Sequence, residues 1–142
     1  MKVEQILQAK GADIFAVGPD DKITDAVALL NDKNIGAVIV RDGKGDVVGI
    51  LSERDIVRRL GARGGDALSM KVSECMTSNV FTCSVDASVD ELMAKMTEKR
   101  IRHLPVTKDN QIVGVVSIGD VVKRKIEQAE QEAAALKEYI AN

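Results

Sequence analysis

Two short stretches hold the side chains best suited to chemistry. Ser52-Glu53-Arg54-Asp55 and Ser117-Ile118-Gly119-Asp120 each place a Ser three residues before an Asp. Each follows an apolar run, VVGIL or IVGVV, that reads as a strand, and each opens a helix. Two readings fit. A Ser at the N-cap with an acidic residue at N3 is a capping box, which by itself stabilises a helix start. The same corner also suits a ligand. A carboxylate can accept two hydroxyl hydrogen bonds from a ribose diol. The N–H groups of a helix start, the Ser hydroxyl and nearby cations suit phosphate. Arg54, Arg58 and Arg59 follow the first motif, and Lys123 and Arg124 the second.

No residue set points to catalysis. There is no nucleophile with a base and an acid, and GARGGD does not match the GxxxxGK[ST] phosphate loop. The single histidine, His103, has no ligand partner at metal spacing, so no metal site is expected. Cys75 and Cys83 form no CxxC and read as small hydrophobes in a reducing cytosol.

The elements that must position these motifs come in duplicate. At an offset of 66 residues, Ile14-Phe15-Ala16-Val17 falls on Val80-Phe81-Thr82-Cys83, and Ile23, Ala26, Val27 and Leu30 fall on Val89, Leu92, Met93 and Met96. After RDGKGDVVG against TKDNQIVG the offset is 65, one residue having been lost at a loop tip. Each copy reads as β-α-β-β-α: a short strand (14–17; 80–83), a helix with i, i+3, i+4, i+7 apolar spacing, two strands joined at Asp42-Gly43 or Asp109-Asn110, then a second helix. The fold class is therefore α+β. The expected layout is an N-terminal helix (1–11), repeat one (12–60), a Gly-rich linker (61–71), repeat two (72–126) and a C-terminal helix (127–142).

The 142 residues are 45% hydrophobic and 30% charged, with no Trp, so the core is aliphatic. A net charge of −2 advertises neither nucleic acid nor an anionic membrane. No apolar run is long enough to span a bilayer, and MKVEQILQAKG is too polar for a signal peptide. A cytoplasmic protein is the expectation.

A β-α-β-β-α unit ending in Gly, two apolar residues and Ser-x-x-Asp, present twice, resembles a tandem CBS-domain pair, or Bateman module. IRHLPV (101–106), Gly114 to Asp120 and the Glu74-Cys75-Met76-Thr77 lead-in fit as well, and the likeness covers roughly residues 12–126. The resemblance implies two repeats packed with pseudo-twofold symmetry, sheets facing each other. It implies adenosyl ligands (AMP, ADP, ATP, NAD(H) or S-adenosylmethionine) in clefts between the repeats, and a homodimer used in energy sensing. By resemblance, Asp55 and Asp120 hold ribose hydroxyls, and Ser52 and Ser117 sit by the ribose or phosphate. Ile14, Phe15, Ala16, Val80 and Thr82 line the adenine slot. Ile35, Gly36, Ala37, Ile101, Arg102, His103 and Pro105 flank the base and phosphate.

The copies differ where they should face ligand. Ala16 stands where copy two has Thr82, Gly36-Ala37 where it has Arg102-His103, and Arg54 where it has Gly119. Two non-equivalent sites follow. Copy two has the fuller set for a phosphorylated adenosine; the more open copy one, with Arg54 and Arg58, suits a dinucleotide. Pro105 inside a strand suggests an edge or the end of pairing. Arg100 and Arg102 read as a strand edge. Ile126, Ala129, Ala133, Leu136 and Ile140 form a short a/d seam that should pack on a partner subunit or on the N-terminal helix. The expected function is a non-catalytic adenosyl-ligand sensor acting on a separate, unidentified protein. The alternative is a structural dimerisation module with vestigial sites.

Overall fold

The structure, a computed structural model, describes residues 1–141; Asn142, the end of the expected C-terminal extension, lies outside them. The chain divides into two compact units, residues 13–81 and residues 1–12 with 82–142. Each holds one three-stranded sheet, so the protein is α+β with a long C-terminal helix.

In the unit of residues 13–81, β1 (Ala16–Val17) runs parallel to β2 (Ala37–Arg41), which pairs antiparallel with β3 (Val47–Ser52). Helix α2 (Ile23–Lys33) ends on Asn34, whose left-handed backbone (φ 53°) suits an Asn better than most side chains. The Asp42 carboxylate accepts from the backbone N–H groups of Lys44 and Asp46 and so shapes the β2–β3 turn. Helix α3 (Glu53–Arg63) follows β3 directly. Ile23, Leu30, Val38, Val40, Leu51 and Met70 form the centre of the core.

The second sheet repeats the first. In the other unit β4 (Cys83–Ser84) is parallel to β5 (His103–Lys108), which pairs with β6 (Gln111–Ser117). Asp109 and Asn110 both take positive φ, as a tight two-residue hairpin demands. Helix α5 (Val89–Lys99) ends on Arg100, again left-handed, and the 24-residue α6 (Ile118–Ala141) starts where β6 ends.

Several expectations change. Residues 61–71, expected as a linker, carry regular structure: α3 reaches Arg63, a 3-10 turn spans Gly64–Ser69, and Ala67 is fully buried. The apolar side chains Ala67 and Met70, hidden among Gly and Ser, anchor the segment. The first strand of each repeat is only two residues long, so Ile14, Phe15, Val80 and Thr82 precede strands rather than lie in them. Arg100 caps a helix and is not a strand residue. Pro105 sits inside the central strand of its sheet, opposite Val115. Pairing on its other side begins only at Val106, so its missing N–H breaks no β4–β5 rung. At the matching position of the first sheet, the Ile39 N–H donates to the Phe15 carbonyl at 3.0 Å.

The lead-in segments also differ from a plain appendage. Helix α1 (Val3–Lys10) belongs to the unit of repeat two, with Val3, Ile6 and Leu7 buried. Its Val3 and Glu4 N–H groups donate to the Ala87 and Val85 carbonyls. In the other unit the short helix α4 (Val72–Cys75) does the same, its Val72 and Ser73 N–H groups donating to Asp21 and Pro19. Lys2-Val3 and Lys71-Val72 are thus equivalent starts, 69 residues apart.

Candidate functional site

Both Ser-x-x-Asp motifs sit at a strand-to-helix corner held by the same backbone frame. Ser52 lies opposite Ala37, and Ser117 lies opposite His103. The first helical N–H of each corner donates to the residue just ahead of the paired strand, β2 or β5: Glu53 to the Gly36 carbonyl at 2.9 Å, Ile118 to the Arg102 carbonyl at 2.8 Å. Gly36-Ala37 and Arg102-His103 are thereby brought beside Ser52 and Ser117. Ile35 and Ile101 precede these strands as half-buried residues.

The capping reading is realised in both copies. The Ser52 N–H and hydroxyl donate to Asp55 Oδ2 at 2.9 and 3.1 Å, and the Asp55 N–H returns a 3.3 Å bond to Ser52 Oγ. In the second copy the Ser117 N–H donates to Asp120 Oδ2 at 2.8 Å and the Asp120 N–H donates to Ser117 Oγ at 3.2 Å. Both Asp side chains are only half-buried.

The corners differ in what the lead-in segment adds. After α4 the chain turns extended, and Thr77 bridges to Ile50 through two backbone bonds, its N–H on the Ile50 carbonyl and its carbonyl on the Ile50 N–H. The Thr77 hydroxyl then donates to Asp55 Oδ1 at 3.3 Å. In the other unit α1 stays helical to Lys10, and one ammonium does both jobs. Lys10 Nζ donates to the Val115 carbonyl at 2.6 Å and to Asp120 Oδ2 at 2.8 Å. Val115 is the counterpart of Ile50, 65 residues on. Burial alone would raise the Asp120 carboxyl; the Lys10 and Ser117 hydrogen bonds and the Lys10 charge outweigh it and hold it below the usual carboxylate range.

Sequence reasoning missed Lys10 and the Thr77 hydroxyl. The signal was present in the match of KVEQIL to KVSECM, which makes α1 the lead-in of repeat one.

Other expected residues take varied places. Ala16 and Arg102 are exposed, as are Arg54 and Arg58 in the first turns of α3. Phe15 is half-buried, with the Lys33 ammonium 5.5 Å from its ring centroid. The Thr82 carbonyl accepts a bond from Lys95 Nζ. His103 is half-buried at the start of β5, and Pro105 is buried. Two basic residues are already engaged: Arg59 donates to the Glu74 carbonyl and Arg124 pairs with Glu127. Burial pushes the Cys83 thiol up to about 11 and raises that of Cys75, so neither is a ready nucleophile. Among the described residues no group of three or more His, Cys, Asp or Glu is placed to hold a metal. None of their helices is long and apolar enough to cross a membrane.

A duplicated α+β unit, each copy ending in a capped Ser-x-x-Asp corner, defines a tandem two-domain module. The chain belongs to the CBS-domain family, whose model matches residues 3–62 and 72–127. Those matches begin at Val3 and Val72, the equivalent lead-in starts. The CBS domain-containing protein CBSX3, mitochondrial, of Arabidopsis thaliana is 38% identical over 85% of this chain, which spans 61% of that protein's length. The crystal structure of CBS-domain containing protein ATU1752 from Agrobacterium tumefaciens matches with a TM-score of 0.85 at 43% identity, over 87% of this chain and 92% of that one. The CBS domain pair of protein MJ0100, solved in complex with 5′-methylthioadenosine and S-adenosyl-L-methionine, matches with a TM-score of 0.79 at 27% identity, over 90% of this chain and 98% of that one. CBS-domain pairs are generally regulatory, non-catalytic modules.

Proposed function

We propose that this chain is a non-catalytic sensor of adenosyl ligands with two non-equivalent sites, one built on each Ser-x-x-Asp corner. The observation that carries the reading is the recurrence of the corner in the same register in both sheets. The complex of the MJ0100 pair with two adenosyl compounds supports it. Asp55 and Asp120 take ribose hydroxyls. Ser52 and Ser117, with the adjoining N–H groups, take ribose or phosphate. Phe15, Thr82 and their neighbours take the base. Arg102 and His103 favour AMP, ADP or ATP in copy two, while Arg54 and Arg58 suit NAD(H) in copy one. The protein works as a cytoplasmic homodimer and passes ligand occupancy to a separate protein by shifting its own conformational equilibrium.

A second reading, a dimerisation module with vestigial sites, draws on the Lys10 ammonium, which already occupies Asp120. Thermal unfolding separates the two. AMP, ATP, NADH, S-adenosylmethionine and 5′-methylthioadenosine are each added in large excess. Working sites raise the melting temperature with at least one of them, since ligand at ~100 times its dissociation constant adds about 2.7 kcal/mol. Unchanged melting with all five favours the vestigial reading.

A further inference from the structure

Helix α6 outruns the unit it belongs to. Only Val121 of its 24 residues is buried, and every residue from Ala129 to Ala141 is exposed. An isolated helical stretch of that length is marginal in water. Val122, Ile126, Ala129, Ala133, Leu136 and Ile140 recur at alternating spacings of four and three, the d and a positions of a heptad. All six are exposed, Leu136 by 60% and Ile140 by 73%. The large apolar residues of α1, Val3, Ile6 and Leu7, are themselves buried, so that helix offers only Ala9 toward covering the seam.

The flanking charges select the occupant. With Ile126 and Ala133 at a, the e positions are Lys123, Glu130 and Lys137, and the g positions are Lys125, Glu132 and Tyr139. A second copy laid parallel and in register sets each g against the e five residues on in the other chain. That pairs Lys125 with Glu130 and Glu132 with Lys137, opposite charges both times. Laid antiparallel about the two central alanines, the same seam sets Glu130 on Glu130, Glu132 on Glu132 and Lys123 on Lys137, all like charges. Lys125 is already held by Asp90 at 2.7 Å, so the Glu132–Lys137 pair carries most of the selection. The two alanine layers let the helix axes approach toward the short end of the usual 8–10 Å range.

We propose that this exposed face of α6 is the seam of a parallel, in-register, two-stranded coiled coil with α6 of a second copy of the chain. The proposal rests on the homodimer reading above and adds its orientation and register.

Disulfide trapping of the full chain tests it. In a parallel seam position 136 meets position 136, so Leu136→Cys links to itself under mild oxidation, and so does Ile126→Cys at position 126. Mixed together, with one of them isotope-labelled because the two substitutions change the mass equally, the two variants give self-linked dimers only, told apart by mass. Mixed 126–136 links as the main product overturn the proposal in favour of an antiparallel seam. No link at either position, with light scattering still reporting a dimer, overturns it while leaving the homodimer reading intact. A monomer by light scattering at all concentrations overturns both. Charge reversal adds a check independent of cysteine. Glu132→Lys weakens dimerisation roughly fivefold by turning two attractive exposed pairs repulsive, and adding Lys137→Glu restores it. A double variant as weak as the single one overturns the register.

Discussion

Replacing Lys10 with Met keeps the aliphatic stem of the side chain on α1 and removes its ammonium. Two bonds go with it, 2.6 Å to the Val115 carbonyl and 2.8 Å to Asp120 Oδ2. The ion pair is only partly sheltered, with side chains 35% and 24% exposed, so it is a screened, near-surface pair. Such a pair contributes about 0.5 kcal/mol, and the bond to the carbonyl about 1 kcal/mol. The expected loss at neutral pH is about 1.5 kcal/mol, a fall in melting temperature of roughly 3–6 °C for a chain of this size. Asp120 is held below its ordinary 3.8 in the folded protein. A depressed carboxylate contributes stability above the unfolded value and loses it as pH falls through the folded one. Urea unfolding of both proteins should therefore show the gap narrowing toward about 1 kcal/mol as acid protonates Asp120 below its ordinary range, where only the Val115 bond still separates them. Asp120 should also take a ribose more readily in the variant, with affinity at that corner rising about twofold. Equal stability at neutral pH would refute the clasp. A gap that does not narrow in acid would refute the role of the carboxylate.

Further expectations follow from the same geometry. Gly49→Ala should cost about 1–3 kcal/mol, because its Cβ would meet Met76 Sδ at 2.6 Å and the fixed Thr77 carbonyl at 2.9 Å. Gly114→Ala should cost less in urea unfolding, because its Cβ meets only the far end of the Leu7 side chain, at 2.7 Å. Ser52→Ala should destabilise by about 1 kcal/mol through loss of the cap, a drop that thermal unfolding resolves. A thiol reagent such as Ellman's should leave native Cys83 unmodified and react after denaturation, since the thiol is buried and held up to about 11.

The duplication was legible because each copy repeats the same spacing of apolar residues, from Ile23 to Leu30 and from Val89 to Met96. The corners were legible because Ser and Asp three apart have few other uses at a strand end. What escaped the sequence came from contacts distant along the chain. Lys10 lies 110 residues from Asp120, and nothing local marks it as a partner of that carboxylate. The segment 61–71 carries a linker's composition and stays largely exposed, yet the buried Ala67 and Met70 anchor it to the core of its unit. Pro105 was legible in part: its strand is central rather than an edge, but Pro105 does mark the end of pairing with β4, which begins only at Val106.

The central claim is that each Asp serves its own ribose site. Calorimetric titration of AMP into the native chain, Asp55→Asn and Asp120→Asn tests it most directly. The account predicts two binding events of different affinity in the native protein, with each variant losing one event and keeping the other. Identical isotherms from all three proteins would contradict it.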